Sequence, residues 1–206
     1  MKKLFLTLII VALSLPAFSQ VKVRPGLRLG LNAATITNHE DSERKIGFDG
    51  AIFANIHFTS FYELQPELTY SNQGFKRRNI IYYTGNGTNE IGGGFNINYI
   101  GLSVANKFFV VPNTGLHFIV GPSVEMNVSD DSQYDDITPI DFSLFGGVGY
   151  EFPMGLGIEA RFKQGLIDVR KDYYDDPNYH DDNELYNYNN KLNSVFQLNV
   201  SYKFDF

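Results

Sequence analysis

Every second residue from Phe196 to the end of the chain is apolar or aromatic: Phe196, Leu198, Val200, Tyr202, Phe204 and Phe206. Between them stand Gln197, Asn199, Ser201, Lys203 and Asp205. A period of two over this length predicts a β-strand with one greasy and one polar face. The strand reaches the last residue and ends on Phe206, as the strand that closes a transmembrane β-barrel does.

Seven earlier segments repeat the alternation. Residues 23–34 set Leu27, Leu29 and Leu31 against Arg28, Gly30 and Asn32. Residues 46–58 set Phe48, Ile52, Ala54, Ile56 and Phe58 against Asp49, Ala51, Asn55 and His57. Residues 61–75 alternate Tyr62, Leu64, Leu68 and Tyr70 with Glu63, Gln65, Glu67 and Thr69, and residues 96–110 alternate Ile100, Leu102, Val104 and Phe108 with Tyr99, Gly101, Ser103 and Lys107. The pattern is cleanest over 115–128, where Leu116, Phe118, Val120, Val124 and Met126 alternate with His117, Gly121, Ser123, Glu125 and Asn127. Segments 139–152 and 155–168 follow suit, the latter with Glu159, Arg161 and Lys163 on its polar side. With the tail this predicts eight strands, an even number suited to an antiparallel up-and-down barrel.

The predicted connections alternate in length. Thr59-Ser60, Val111 to Thr114 and Pro153-Met154 read as short turns, whereas 35–45, 76–95, 129–138 and 169–191 read as long polar loops. In an up-and-down barrel all short turns fall at one end and all long loops at the other. Outer-membrane barrels show this asymmetry, with short turns on the periplasmic side, so both chain ends are expected there. Aromatic residues of the apolar parity gather at both ends: Phe58, Tyr62, Phe108, Phe118, Phe152, Phe204 and Phe206 at the turn end, Phe48, Tyr70, Phe142 and Phe196 at the loop end. Two such rings suit the two interfaces of a bilayer. Pro66 and Pro122 fall inside predicted strands; lacking a ladder donor, each predicts a local bulge or one missing hydrogen bond.

Alternation does not say which face is inside. A soluble, lipocalin-like carrier would turn the apolar set inward around a ligand. A membrane barrel turns it outward to lipid. The polar set is rich in Gly, Ser and Asn and poor in lysine, which ill suits a surface washed by water. The strands also reach the 9–11 residues that cross a bilayer. The expectation is an all-β, eight-stranded transmembrane barrel facing outer-membrane lipid, with the barrel-assembly machinery as the partner that receives its closing strand.

The first nineteen residues read as an export signal: Lys2 and Lys3, an apolar run from Leu4 to Leu15, then Pro16 and Ala17-Phe18-Ser19 before the expected cut. Residues 20–206 would then form one barrel domain. After the signal no apolar run is long enough for a helical span. The chain has no Cys, so neither disulfides nor thiolate metal sites arise. Its net charge of −6 speaks against nucleic acid as a partner. Its 18 Phe, 13 Tyr and 19 Gly suit a barrel better than a helical bundle.

The inward parity carries Asp49, Glu63, Glu67, Glu125, Glu151 and Glu159 against Arg28, Lys107, Arg161 and Lys203. Eight strands enclose room for side chains only, so these charges are expected to pair across the lumen in a structural network of Arg28, Glu67, Lys107, Glu125, Glu159 and Arg161, centred on Glu67, Glu125 and Arg161. The alternative is an ion path. Catalysis has little to stand on: of four histidines, His39 and His180 fall in loops, and His57 and His117 sit near the turn-end rim as solvated residues. A lipid-modifying barrel enzyme would need a catalytic pair on the apolar parity, which offers only Asn106 and Gln164. No catalytic residue, metal site or cofactor is expected. Two loops are acidic: Asp130, Asp131, Asp135 and Asp136 in one, and Asp172 to Glu184 in the other. Lacking the order of an EF-hand, they read as solvated surface rather than calcium sites. The second loop interleaves Tyr173, Tyr174, Tyr179, Tyr186 and Tyr188. Exposed Tyr among Asn and Asp makes an adaptable contact surface, pointing to an extracellular protein or glycan.

The run Tyr62-Glu63-Leu64-Gln65-Pro66-Glu67-Leu68-Thr69-Tyr70 resembles the third strand of the PorT-like outer-membrane β-barrel family. Gly26 to Asn32 is similar to its first strand, Gly121-Pro122-Ser123 and Gly149 to Phe152 to its fifth and sixth, and Tyr202-Lys203-Phe204 to its closing strand. Gly101 and Ser103 depart from the Glu and Pro of many relatives. The resemblance implies a small eight-stranded barrel in the Gram-negative outer membrane, and a link to protein secretion through the family's namesake alone.

Overall fold

A computed structural model describes residues 22–37, 42–84, 87–111, 114–131, 137–169 and 191–205, with the backbone alone for 77–84 and 87–93. The expected signal segment, most of the tyrosine-rich loop and Phe206 lie outside the described residues.

The described residues form nine strands: β1 (Lys22–Ile36), β2 (Ser42–Glu43), β3 (Lys45–His57), β4 (Tyr62–Thr84), β5 (Gly87–Phe109), β6 (Leu116–Asp130), β7 (Ile140–Glu151), β8 (Leu156–Gly165) and β9 (Asn193–Lys203). β2 is a two-residue addition to β4, pairing Ser42 with Arg77 and Glu43 with Lys76. The other eight run antiparallel, each beside its chain neighbour, and β9 returns to β1 to close the ring. Closure leaves the barrel no free edge. The closing register sets Leu198 opposite Leu31 and Tyr202 opposite Leu27.

The period of two becomes an inside and an outside. On β6, Leu116, Phe118, Val120, Val124 and Met126 are exposed, while His117, Gly121, Ser123 and Glu125 are buried. On β9, Leu198 is 68 % exposed and Asn199 only 2 %. This barrel therefore carries an apolar coat around a polar core, the reverse of a carrier that shelters an apolar ligand. Aromatic side chains meet on the coat at both ends: Tyr62 with Phe58 and Phe108 at the turn end, Phe48 with Tyr70 and Phe162 with Phe196 at the loop end.

The turns are as short as the sequence suggests. Gly115 (φ +78°) and Gly155 (φ +85°) take the left-handed backbone that only glycine adopts freely, and each closes a turn-end connection. Both described chain ends lie at this end, where Lys22 and Arg24 reach Asp205 at 2.8 and 3.2 Å. The hydrogen bond from Lys22 and the charge of Arg24 hold the fully exposed Asp205 carboxyl below its ordinary range.

Of the two outcomes expected at Pro66 and Pro122, the ladders show the missing bond and no bulge. The β3–β4 ladder skips Ala54 and Asn55 opposite Pro66 and Gln65, then resumes in the same register. The β5–β6 ladder skips Val104 and Ala105 opposite Pro122 and Gly121 in the same way. Each proline withholds a donor without adding a residue, so the register survives. The shifts lie elsewhere, between Arg77 and Ile80 and between Asn98 and Tyr99. One expectation needs correction: the described residues of 76–95 form strand rather than loop. β4 and β5 continue through it as a ribbon, pairing Lys76 with Gly94 out to Thr84 with Gly87. Ile80-Ile81-Tyr82-Tyr83-Thr84 is β-branched and aromatic, and loop composition masked that propensity. The tail also stops short: β9 ends at Lys203, and Phe204 adds one further bond, from its N–H to the Pro25 carbonyl.

Candidate functional site

The lumen is filled by charge-paired layers. At the turn end, the Lys203 ammonium sits 2.7 Å from Glu63 and 2.5 Å from Glu151. Glu63 also accepts from Asn55 at 2.8 Å and meets His57 Nδ1 at 3.0 Å. The next layer pairs Lys107 with Glu159 at 2.6 Å. At mid-height, Arg161 grips Glu67 with both terminal nitrogens and Glu159 through Nε and Nη2. Arg28 reaches Glu67 from the other side at 3.0 Å and ties in Asp49 at 2.9 Å. Ser103 donates to Glu67 as well. Every oxygen of Glu67 is thus taken by a donor, which offsets the cost of burying its charge.

Above this layer stands a separate pair, Lys163 and Glu125, with Gln73 donating to the same carboxylate at 3.1 Å. Then come Asp141 and Asn193, joined at 3.1 Å, with the Asn193 amide also donating to the Tyr99 hydroxyl. A lid of Ile36, Phe75, Phe95, Ile97, Tyr99 and Val169 seals the loop end, with Ile137 packed against it. The void beside Glu125 and Lys163, lined also by Ser71, Ser103 and Ser123, is only about 20 Å³, enough for about one water molecule.

The six residues expected to form one network divide in two. Arg28, Glu67, Arg161, Glu159 and Lys107 are contiguous through ion pairs, with Asp49 attached. Glu125 stands in the separate pair, because its nearest cation is Lys163 rather than Arg161. Lys163 shares the parity of Arg161 two positions on, and that spacing was the signal for it. His117 is not a solvated rim residue. It is 1 % exposed, with Nδ1 2.9 Å from the Gly115 carbonyl and its ring 5.0 Å from Phe109. The turn residue Gly115 lets the backbone fold over it. His57, half-exposed, fits the expectation. On the coat, Asn106 accepts from the Tyr62 hydroxyl at 2.8 Å and donates to the Val120 carbonyl, and Gln164 donates to the Asn193 carbonyl. Both are engaged in interstrand bonds rather than poised as bases.

The closing-strand residues Phe196, Leu198, Val200 and Tyr202 all face outward, 44 to 68 % exposed. Tyr173, Tyr174, Tyr179, Tyr186 and Tyr188 lie outside the described residues. Just beyond β6, the Asn96 backbone and side chain both donate to Asp131. Partial burial pushes the Asp131 carboxyl up, but these bonds outweigh it and hold the group below its ordinary value. Among the described residues no group of three His, Cys, Asp or Glu is placed to hold a metal.

An apolar coat between two aromatic rings, an interior of buried ion pairs and a ring without edges define an outer-membrane β-barrel protein. The chain belongs to the outer membrane protein beta-barrel domain family, which matches over residues 18–171. No curated protein sequence matches it. Among solved structures it is similar to Neisserial surface protein A, with 16 % identity, a TM-score of 0.50, and coverage of 90 % of this chain and 100 % of that one. It is also similar to Ail, the attachment invasion locus protein of Yersinia pestis, in complex with the heparin analogue sucrose octasulfate, at 11 % identity and TM-score 0.49 over 89 and 99 % of the two chains. The outer membrane enzyme PagL follows at 11 % identity and TM-score 0.43 over 87 and 99 %. At these identities the likeness concerns the fold.

Proposed function

We propose that this protein is a non-enzymatic outer-membrane barrel, closed to passage, that serves through its loop-end surface as a binding or envelope-supporting element. The observation that carries this reading is the filled interior: ion-paired layers from Lys203 to Lys163 under an apolar lid. Such a lumen holds the wall rigid, and the chemistry is left to the loops. On this reading the termini are periplasmic, the coat contacts outer-membrane lipid, and the tyrosine-rich loop meets an extracellular protein or glycan. The strand-by-strand likeness around Leu64-Gln65-Pro66-Glu67-Leu68 supports a PorT-like kinship within the wider family; a secretion role rests on that kinship alone.

Removal of residues 172–188 is the test. Heat-modifiable gel mobility should show the trimmed barrel inserted as before, while binding of intact cells to immobilised glycans or host-matrix proteins falls to background. Unchanged binding, or loss of insertion, defeats the assignment of binding to that loop. The rival reading is a lipid-modifying enzyme. Purified protein incubated with outer-membrane lipid would then release or transfer an acyl chain, and such turnover would replace the present reading.

A further inference from the structure

Among the described residues, five buried cations (Arg28, Lys107, Arg161, Lys163 and Lys203) face six buried carboxylates (Asp49, Glu63, Glu67, Glu125, Asp141 and Glu159). Five of the six carboxylates have an ion-pair partner; Asp141 has none. It is 4 % exposed. One oxygen accepts from the Asn193 amide, and Oδ1 has no hydrogen-bond partner. Its cross-strand neighbour on the same face is Glu125, a second carboxylate whose charge Lys163 already answers. A buried, unpaired carboxylate beside another is expensive.

Besides the Asn193 amide that donates to it, two buried oxygens nearby have no partner. Ser143, two residues along β7 on the same inward face, leaves Oγ unpartnered at 2 % exposure, and Asn193, at 1 %, leaves Oδ1 unpartnered. Gly165 pairs with Ser143 across β7 and β8, and its lack of a side chain lets Asp141 and Asn193 approach closely at this point. A Cβ there would lie 2.8 Å from Asp141 Oδ2 and 3.2 Å from the Asn193 Cβ. A carboxylate, an amide carbonyl and a hydroxyl form a hard oxygen set, which suits an alkali or alkaline-earth ion over a transition metal. Calcium takes six to eight oxygens and usually several carboxylates; one free negative charge calls for one positive charge.

We infer that Asp141, Ser143 and Asn193 form a buried site for a monovalent cation of the sodium class, enclosed beneath the Tyr99 lid and supplying the cation that Asp141 lacks. The ion would act as a structural pin between β7 and β9 rather than a permeating species, since the lid closes the route outward.

The experiment is thermal unfolding of the refolded barrel in detergent, read by gel mobility. Sodium chloride is exchanged for choline chloride at constant ionic strength, choline being too bulky for the site. The wild-type midpoint should climb with the logarithm of sodium concentration, by about 3–6 °C per tenfold once the site is occupied. Asp141→Asn should flatten the response, and Ser143→Ala should displace it to higher sodium. Broadening of the ²³Na resonance by wild-type protein should vanish in Asp141→Asn. If Asp141→Asn does not fold, Ser143→Ala decides, and an unshifted sodium response overturns the inference. So does a wild-type midpoint indifferent to sodium, including one that moves with pH alone, which would put a proton in place of the ion.

Discussion

Arg161 of β8 holds Glu67 of β4 in a two-pronged grip, with Nη2 2.8 Å from Oε1 and Nη1 3.0 Å from Oε2, although 94 positions separate them in the chain. The planar guanidinium matches the carboxylate fork, and the pair spans the lumen. Both side chains are buried, so neither can trade its partner for water.

Breaking this grip from one side should therefore cost far more than removing it whole. Glu67→Gln leaves Arg28 and Arg161 short of an anion and should destabilise the barrel by about 3–5 kcal/mol. The double variant Glu67→Leu with Arg161→Met should lose less than the sum of the Glu67→Leu and Arg161→Met singles. Urea unfolding of the four proteins in lipid vesicles completes the double-mutant cycle; strict additivity would show that the two residues do not act as a unit.

On the coat, charge should be punished by depth. Leu198 lies outward near the middle of β9, so Leu198→Arg should cost about 2–4 kcal/mol if hydrocarbon surrounds it. At the interface the same change should cost about 1 kcal/mol or less. Tyr202→Arg provides the comparison, and the folding midpoint in vesicles is the readout. Equal, small losses at both positions would mean that water and not lipid touches this wall.

Planar-bilayer recording should find no steady conductance from the wild-type barrel. Phe75→Ala and Phe95→Ala together remove two rings of the loop-end lid, which meet edge to face at 4.8 Å. They should still leave the pore closed, because the Lys163–Glu125 and Arg161–Glu67 layers block it below. Steady channels in the lid variant would assign closure to the lid instead.

Acid should loosen the loop end of β5 and β6 before the lumen. The Asp131 carboxyl is held below its ordinary value by donors on Asn96, so its folded form favours the charged state. For a depressed carboxyl the stabilisation is fully present above the unfolded value of 3.8 and fades as pH drops through the folded one. Amide hydrogen exchange at Asn96 should accelerate over that acid window, and Asp131→Asn should remove the pH dependence. Exchange that ignores pH in the wild type would contradict the contact.

The alternation of Leu198, Asn199 and Val200 was enough to specify eight strands, their direction and which residues share a face, because a strand's side chains have a fixed period and a closed antiparallel barrel leaves one order for them. Composition misled where it replaced pattern: the Gly- and Asn-rich stretch 76–95 reads as loop, yet it pairs as ribbon. Parity put Glu125 and Arg161 on one face, but parity carries no height. Partners across the lumen depend on strand stagger, which the ladders set, and that brings Lys163 to Glu125 and leaves Arg161 to Glu67. The sequence by itself therefore determined the coat, the core and the ring. Only the tertiary structure decided who pairs with whom inside, that His117 is buried under the Gly115 turn, that an apolar lid closes the loop end, and that Asp141 alone among the described buried carboxylates lacks a cation. Those depend on long-range register, to which a period of two is blind.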